Sequence, residues 1–275
     1  VSVVVVGRGF LGRAVAAALG PAGRLVGHAA AVEPLILDGV ASVVWAGRHP
    51  ALGTSDWRIE EDLEPGLARR AAGRGIAFTS LGTRKVYAPS PNPLREEDPL
   101  GPTDLYGRQK LAVEERLAAI PGLLLTRLRI GNVFGYERTP GRSSFLTRLL
   151  ATLAAEGEVR LDVAPEVVRD FLPVEAAAAW IARLAQDPPG GVLNLGSGVG
   201  LALGRVAGAV VEGFGRGRIV VESRDERDGF VLDVGRLRRR LPEARIGADA
   251  VLAACREVGR RLAAEARLVG SGAGP

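Results

Sequence analysis

Apolar residues fall into short runs separated by glycine turns and by amphipathic stretches of helical period. Residues 1–6 are valine except for Ser2, the composition of a strand buried on both faces. The segment Gly7-Arg8-Gly9-Phe10-Leu11-Gly12 follows, and residues 13–19 read as an Ala/Leu helix stopped by Gly20-Pro21. The pattern predicts further strands over 24–28, 41–46, 76–80 and 123–130, and helices over 60–74 and 106–119. Strands alternating with helices predict an α/β fold with a doubly wound parallel sheet.

Past Asn132 the pattern changes. Helices are expected over 144–156, 174–185, 201–214 and 248–268, with short strands over 192–195 and 218–222. The division predicts a first domain of residues 1–136 and about 168–197. A smaller C-terminal lobe of about 137–167 and 198–275 is expected over the carboxyl edge of the sheet. The tail Gly270-Ser271-Gly272-Ala273-Gly274-Pro275 reads as disordered.

Composition narrows the classes. With 275 residues, 47% hydrophobic and 24% charged, the chain is globular and long enough for a substantial core. A lone Cys255 excludes a disulfide framework, and with His28 and His49 as the two histidines no metal site is expected. No apolar run approaches the roughly 20 residues of a membrane span, so the expectation is a soluble cytoplasmic protein. The net charge of +5 accompanies only 5% aromatic residues and dispersed arginines, which reads as a solvated basic surface and not a nucleic-acid stripe. Lys85 and Lys110 are the only lysines among 36 Lys+Arg, so lysine marks places where arginine does not serve equally.

Two segments carry chemistry. In a chain with 37 glycines a G-x-G-x-x-G match is weak by itself, but Gly7, Gly9 and Gly12 fall between a buried strand and a helix, as a Rossmann dinucleotide fingerprint requires. Gly7 permits the tight turn, Gly9 the approach of a pyrophosphate, and Gly12 close helix packing. Arg8, Phe10 and Leu11 of the turn, and Ala46, Gly47 and Arg48 at the end of the 41–46 strand, join them as candidate cofactor contacts. The acid that binds the ribose of NAD about 20 residues on is absent: the second strand ends Gly27-His28-Ala29-Ala30. Arg8, Arg24, His28 and Arg48 are the positive groups expected nearby, which favours NADP(H) and leaves NAD(H) open. The second segment is Tyr106-Gly107-Arg108-Gln109-Lys110, which puts a phenol and an ammonium on one helical face. An ammonium beside a phenol favours phenolate and suits Tyr106 to give or take a proton at a carbonyl or alcohol oxygen. From three tyrosines and two lysines, chance predicts this spacing only about 0.02 times.

With these segments in hand the chain resembles the extended short-chain dehydrogenase/reductases, the NAD(P)-dependent epimerase/dehydratase group acting on nucleotide sugars. The resemblance includes Ser80-Leu81-Gly82-Thr83-Arg84-Lys85-Val86-Tyr87, Glu96-Glu97-Asp98-Pro99-Leu100-Gly101-Pro102, Arg129-Ile130-Gly131-Asn132-Val133-Phe134-Gly135, Arg169-Asp170-Phe171-Leu172-Pro173-Val174 and Asn194-Leu195-Gly196-Ser197-Gly198. It implies that Thr83, three residues before Val86, hydrogen-bonds the reacting oxygen, with Thr79 or Ser80 as alternatives in another register. It implies that Tyr106 is the acid–base group and that Lys110 binds the nicotinamide ribose. Arg169 resembles the diphosphate-binding arginine, with a salt bridge to Asp170 or Glu166 as the competing role. Asn132 at its strand end, and Arg224 or Arg227 from the other side, are further substrate candidates. The chain departs from the family in its shorter glycine turn, in Ala88, Pro173 and Glu175, and in having only about 15 residues where the third strand belongs, so that strand is expected to be shortened or lost.

The function expected is an NAD(P)H-dependent reductase of a keto-sugar nucleotide, a 4-keto-6-deoxy nucleoside-diphosphate sugar being the first choice. A 4-epimerase or dehydratase retaining NAD+ is the alternative, although Arg84-Lys85 stand where dehydratases carry an acidic pair after the threonine. A non-catalytic NADP-binding sensor is the second alternative. The partner expected is a small-molecule nucleotide sugar, with no nucleic acid and no membrane; a homodimer is left open.

Overall fold

The computed structural model describes residues 2–137 and 145–271. Strand β1 (Val3–Val6) leads through the glycine turn into α1 (Phe10–Leu19), and β2 (Gly23–Val26) follows. The alternation continues with β3 (Ser42–Trp45), α2 (Leu63–Ala72), β4 (Ala77–Leu81), α3 (Leu105–Ala118) and β5 (Leu125–Ile130). Next come β6 (Asn132–Phe134), α4 (Phe145–Glu156), β7 (Glu158–Leu161), β8 (Val168–Pro173), α5 (Val174–Gln186) and β9 (Gly191–Leu195). The chain closes with β10 (Gly200–Ala202), α6 (Leu203–Phe214), β11 (Arg218–Val221), α7 (Gly235–Arg240) and α8 (Ala248–Ser271). Gly270 and Ser271, read from sequence as part of a disordered tail, belong to α8; residues 272–275 of that tail lie outside the described residues.

Two compact units result. The first comprises Val1–Gly131, Val174–Gly196 and Leu232–Ala244; the second comprises Asn132–Pro173, Ser197–Val231 and Arg245–Pro275. The boundaries differ from the sequence division in three places, at residues 132–136, 168–173 and 232–244. Strand β8 belongs to the second unit because it pairs with β6 on one edge and β10 on the other. Residues 232–244 belong to the first, where Leu232 bridges to Leu94 and the Asp233 carbonyl accepts from Asn194 Nδ2 at 3.1 Å.

In the first unit six parallel strands lie in the order β2-β1-β3-β4-β5-β9. All four residues of β1 are buried, which accounts for their being valine. Val4, Val6, Val43, Trp45 and Phe78 pack with Leu67 of α2 and with Val113 and Leu117 of α3 in one apolar cluster. Each such side chain contributes about 1.5–3 kcal/mol of burial free energy. Helices α1 and α5 pack on each other, and α5 also contacts β3 and β4.

The strand expected to be shortened or lost is absent. Between β2 and β3 the chain makes two 3₁₀ turns, His28–Val32 and Pro34–Leu37, leaving β2 at the sheet edge. Arginine donors take the place of a ladder. Arg70 of α2 donates to the carbonyls of Ala31 (2.8 Å), Glu33 (2.5 Å) and Pro34 (3.2 Å), and Arg24 donates to that of Ile36. Helix α2 starts later than its periodicity suggests because Asp62 caps it, accepting from Glu64 N at 3.0 Å.

In the second unit β10-β8-β6 form a small mixed sheet and β11 pairs with β7 in parallel. Helices α6 and α8 approach so closely that a Cβ on Gly213 would lie 1.9 Å from the Arg256 carbonyl oxygen, and one on Gly259 2.2 Å from that of Val210. Cys255 is buried in this core, where burial pushes its thiol up to about 12.

A similar approach shapes the first unit. A Cβ on Gly12 would lie 1.9 Å from the Gly7 carbonyl oxygen, whereas one on Gly9 would meet no atom within 4 Å. Gly12→Ala is therefore expected to cost about 1–3 kcal/mol and Gly9→Ala no more than about 0.5 kcal/mol. Chemical denaturation of both variants checks this, and equal losses would contradict it.

Candidate active site

The glycine turn is built from two constraints and one opening. Gly7 has φ +118°, and a side chain there would run into the backbone of Ala46 at 2.5 Å and of Gly47 at 2.6 Å. Gly12 brings α1 against the same turn. Gly9 is the N-cap of α1, with no side chain capping the helix and open space where its own would be. The first-turn N–H groups of α1 are thus left for an anion, and the cradle at Gly9 admits one to the backbone. These features fit a dinucleotide pyrophosphate. Arg8 and Gly9 are exposed, and Phe10 and Leu11 half-buried.

Just beyond the end of β2, the His28 ring meets that of Trp45 edge-on at 5.3 Å, and its Nε2 is buried with no hydrogen-bond partner. Burial holds this imidazole below its usual range. A side chain on Gly47 would press on the same ring, 2.9 Å from His28 Cδ2. Two of the three arginines expected nearby are otherwise engaged. Arg24 holds Ile36, and Arg48 donates to the Leu52 carbonyl at 2.7 Å while its guanidinium carbon stands 5.8 Å from the centre of the Tyr106 ring. Arg48 thereby belongs with Tyr106.

Helix α3 carries the tyrosine and the lysine. Its N-cap Asp104 accepts from Gly107 N at 2.6 Å and pairs with Lys85. Burial opposes the effect, but these hydrogen bonds hold the Asp104 carboxyl below the usual range. Gly107 lets the helix meet the preceding turn, since a Cβ there would lie 2.5 Å from the Lys85 carbonyl oxygen. Tyr106 is half-buried; Lys110 is buried and donates from Nζ to the Leu81 carbonyl at 3.1 Å. Gln109 anchors the 53–54 loop, accepting from Gly53 N at 2.6 Å and donating to the Thr54 carbonyl at 2.7 Å.

Three hydroxyls were candidates to hold the reacting oxygen. Ser80 is committed, donating to Glu64 Oε1 at 2.5 Å, and Thr79 is wholly buried with its Oγ1 unpartnered. Thr83 caps the short turn Arg84–Val86, accepting from Lys85 N at 3.3 Å, a bond that leaves its own proton to donate. Sequence reasoning missed Glu64 because helical periodicity assigns a glutamate to solvent. It is 1% exposed, and burial pushes its carboxyl up to about 7 against the pull of the Lys110 ammonium and the Ser80 hydrogen bond, Asp62 adding to the rise.

Several resembling segments form one buried polar network. Glu114, one turn past Lys110, receives Arg129 Nη2 at 2.5 Å and Nε at 3.2 Å, and Arg129 Nη1 donates to the Glu96 carbonyl at 3.1 Å. The same guanidinium stands 4.7 Å from the centre of the Tyr87 ring, whose hydroxyl donates to Asn194 Oδ1 at 2.7 Å. Burial pushes the Tyr87 phenol up to about 12, so this tyrosine is structural. Asn194 N donates to Glu96 Oε1 at 2.9 Å.

In the second unit Asn132 keeps its Nδ2 buried without a hydrogen-bond partner. Arg169 donates from Nε to the Asp228 carbonyl at 2.9 Å and from Nη2 to that of Arg227 at 3.3 Å, with the Asp228 carboxylate 3.6 Å away. Arg169 thus has an ionic contact with Asp228, a non-glycine at φ 60°. Asp170 receives Ser197 Oγ at 2.6 Å and Ser197 N at 2.8 Å. Arg224 and Arg227 are surface residues already paired, Arg224 with Glu166 at 3.9 Å and Arg227 with Asp225 at 2.8 Å.

Comparison with known proteins agrees with this geometry. The model of the NAD dependent epimerase/dehydratase family matches residues 57–196. No curated protein sequence matches the chain. Among solved structures, MoeE5 in complex with UDP-glucuronic acid and NAD is similar with TM-score 0.77 at 23% identity, covering 95% of this chain and 99% of that one. The UDP-N-acetylglucosamine 4-epimerase from Bacillus cereus gives TM-score 0.77 at 22% identity over 95% of this chain and 99% of its own. RMD from Pseudomonas aeruginosa complexed with NADPH gives 0.75 at 18% identity over 96% and 100%.

Two measurements probe the interior of this site. Arg129→Leu leaves the buried Glu114 carboxylate only the more distant Arg127 Nη1 at 3.5 Å and is expected to cost up to about 3–5 kcal/mol, while the double variant Arg129→Leu/Glu114→Leu recovers most of it; denaturation curves of the two decide. Glu64 holds its proton more tightly folded than unfolded, so its stabilising contribution is full at low pH and is lost as pH rises from about 4.5 through about 7. Glu64→Gln escapes that loss. Its stability relative to wild type should grow between pH 5 and pH 8, by up to about 3 kcal/mol, in thermal melts. A pH-independent offset would contradict the assignment.

Proposed function

Because the chain belongs to the NAD dependent epimerase/dehydratase family, we propose that it is an NADP(H)-dependent reductase of a keto-sugar nucleotide, a 4-keto-6-deoxy nucleoside-diphosphate sugar in particular. The observation that carries the reading is α3, with half-buried Tyr106 and buried Lys110 four apart and the Thr83 turn packed against its first turn. The first unit takes the dinucleotide on Gly7, Gly9, Gly12 and the open start of α1. Arg8, Phe10, Leu11, His28, Ala46, Gly47 and Arg48 surround it. The second unit takes the sugar nucleotide, with Asn132 and Arg169 toward the diphosphate; Arg224 and Arg227 take part by exchanging their carboxylate partners.

The bound nicotinamide supplies hydride to the keto carbon. Tyr106 gives its proton to the carbonyl oxygen as charge develops there, and the Thr83 hydroxyl donates a hydrogen bond to the same oxygen. Lys110 binds the nicotinamide ribose, and its charge offsets the phenolate left on Tyr106. Dehydration is disfavoured because Arg84 and Lys85 follow Thr83, and Lys85 is committed to Asp104. The lack of an acid in the six residues that directly follow β2 supports NADP(H).

A 4-epimerase with retained NAD+ is the second reading. It is favoured by the engagement of Arg24 and Arg48 with backbone carbonyls, which leaves less charge for a 2′-phosphate. Release of tightly held NAD+ from the purified, denatured protein would select it; reversible binding with NADPH preferred over NADH selects the reductase. For the reductase, Tyr106→Phe is expected to lower kcat by about 10²–10⁴-fold with NADPH affinity nearly unchanged. Nicotinamide absorbance with a panel of keto-sugar nucleotides measures it. Retention of more than about a tenth of kcat would remove Tyr106 from the mechanism.

A further inference from the structure

The chemistry above gives no task to one group beside Lys110 that is both buried and ionisable. Glu64, on the first turn of α2, meets Ser80 of β4, Oγ to Oε1, at 2.5 Å. Lys110 of α3 reaches the next residue of that strand, donating to the Leu81 carbonyl at 3.1 Å. A carboxyl, a hydroxyl and an ammonium from three elements thus converge where each is at least nine-tenths buried. The other charge acting on Glu64 is Asp62, which accepts from Glu64 N at 3.0 Å and from Trp57 Nε1 at 3.3 Å. A neutral carbonyl does not balance a buried ammonium, and Glu64 is the carboxyl whose ionisation the Lys110 charge assists.

We propose that Glu64 is a positioning residue of the catalytic centre: it stores a proton behind Lys110, the Ser80 hydroxyl that donates to it favours release of that proton, and its charge state sets how much of the Lys110 positive charge acts on Tyr106. Protonated, Glu64 leaves the ammonium unbalanced, and the full charge faces the phenol. When it ionises, its proton passes to solvent and the carboxylate neutralises much of that charge. Burial places this change at about 7, inside the working range of an enzyme near neutrality. The proposal rests on the roles given to Tyr106 and Lys110 above, and deepens them by naming what tunes the pair.

The test needs no substrate. The full chain is labelled with 13Cζ-tyrosine, Tyr106→Phe assigns the Tyr106 signal among those of Tyr87 and Tyr136, and the signal is followed from pH 5 to pH 9. The expected result is a step in the Tyr106 shift near pH 7 in the wild type, its loss in Glu64→Gln, and its displacement upward by about half a unit or more in Ser80→Ala, where the Glu64 carboxylate loses the hydroxyl that donates to it. A step that persists in Glu64→Gln, or a wild-type signal without one, overturns the proposal and leaves Glu64 a structural residue. If Glu64→Gln does not fold, Ser80→Ala decides, and an unmoved step there overturns it. Failure of the catalytic reading shows elsewhere, as full turnover in Tyr106→Phe, and does not alter the tyrosine titration on which this test stands.

Discussion

Arg129 and Glu114 meet in the interior of the first unit, and the setting of α3 depends on that contact. Tyr106, Lys110 and Glu114 are spaced by four along α3 and therefore share a face. Clamping Glu114 to a guanidinium on β5 fixes the rotation of the helix, and with it the direction of the phenol and the ammonium. The guanidinium in turn is held by the Glu96 carbonyl and stands over Tyr87, whose hydroxyl reaches Asn194 on β9. Glu96 closes the circuit by accepting from Asn194 N. Few groups in such a network can be removed singly, because each loss takes a partner from a buried group.

The dinucleotide end of the same unit shows economy of a different kind. A strand is missing at the β2 edge, and arginine side chains hold the replacing turns through backbone carbonyls. Guanidinium suits this task, presenting several donors in one plane. Arg24 and Arg48 are likewise engaged with backbone carbonyls, and His28, whose charged form burial disfavours, lies beside Trp45 and Gly47. Lysine is used where a compact ammonium is wanted: Lys85 at the cap of α3, and Lys110 in the buried layer beside Glu64.

Much of the fold was legible because it follows from local pattern. The valine run, the glycine turn and the alternation of apolar segments determined a parallel α/β sheet, and the short interval after β2 announced the missing strand. The pairing of Tyr106 with Lys110 needed nothing beyond helical spacing. The short strands β6, β7, β8 and β10 were not legible, since three to six residues carry too little periodicity and their register is set by partners far along the chain.

What the tertiary structure decided is which polar residues are inside and what they touch. Glu96, Arg129 and Asn194 stood in the sequence as resembling motifs, and in the fold they are a structural network joined across as many as 98 residues of chain. Arg169 was weighed against two acids beside it, and it has an ionic contact with Asp228. Glu64 lies in a helix that the sequence predicts but drew no reading of its own there, and it is buried. The sequence by itself determined the elements and the chemistry of one helical face, because both depend on neighbours within a few residues. Partners and charge states depend on distant chain segments brought together, where burial changes the free energy of every ionisable group, and only the folded structure could assign them.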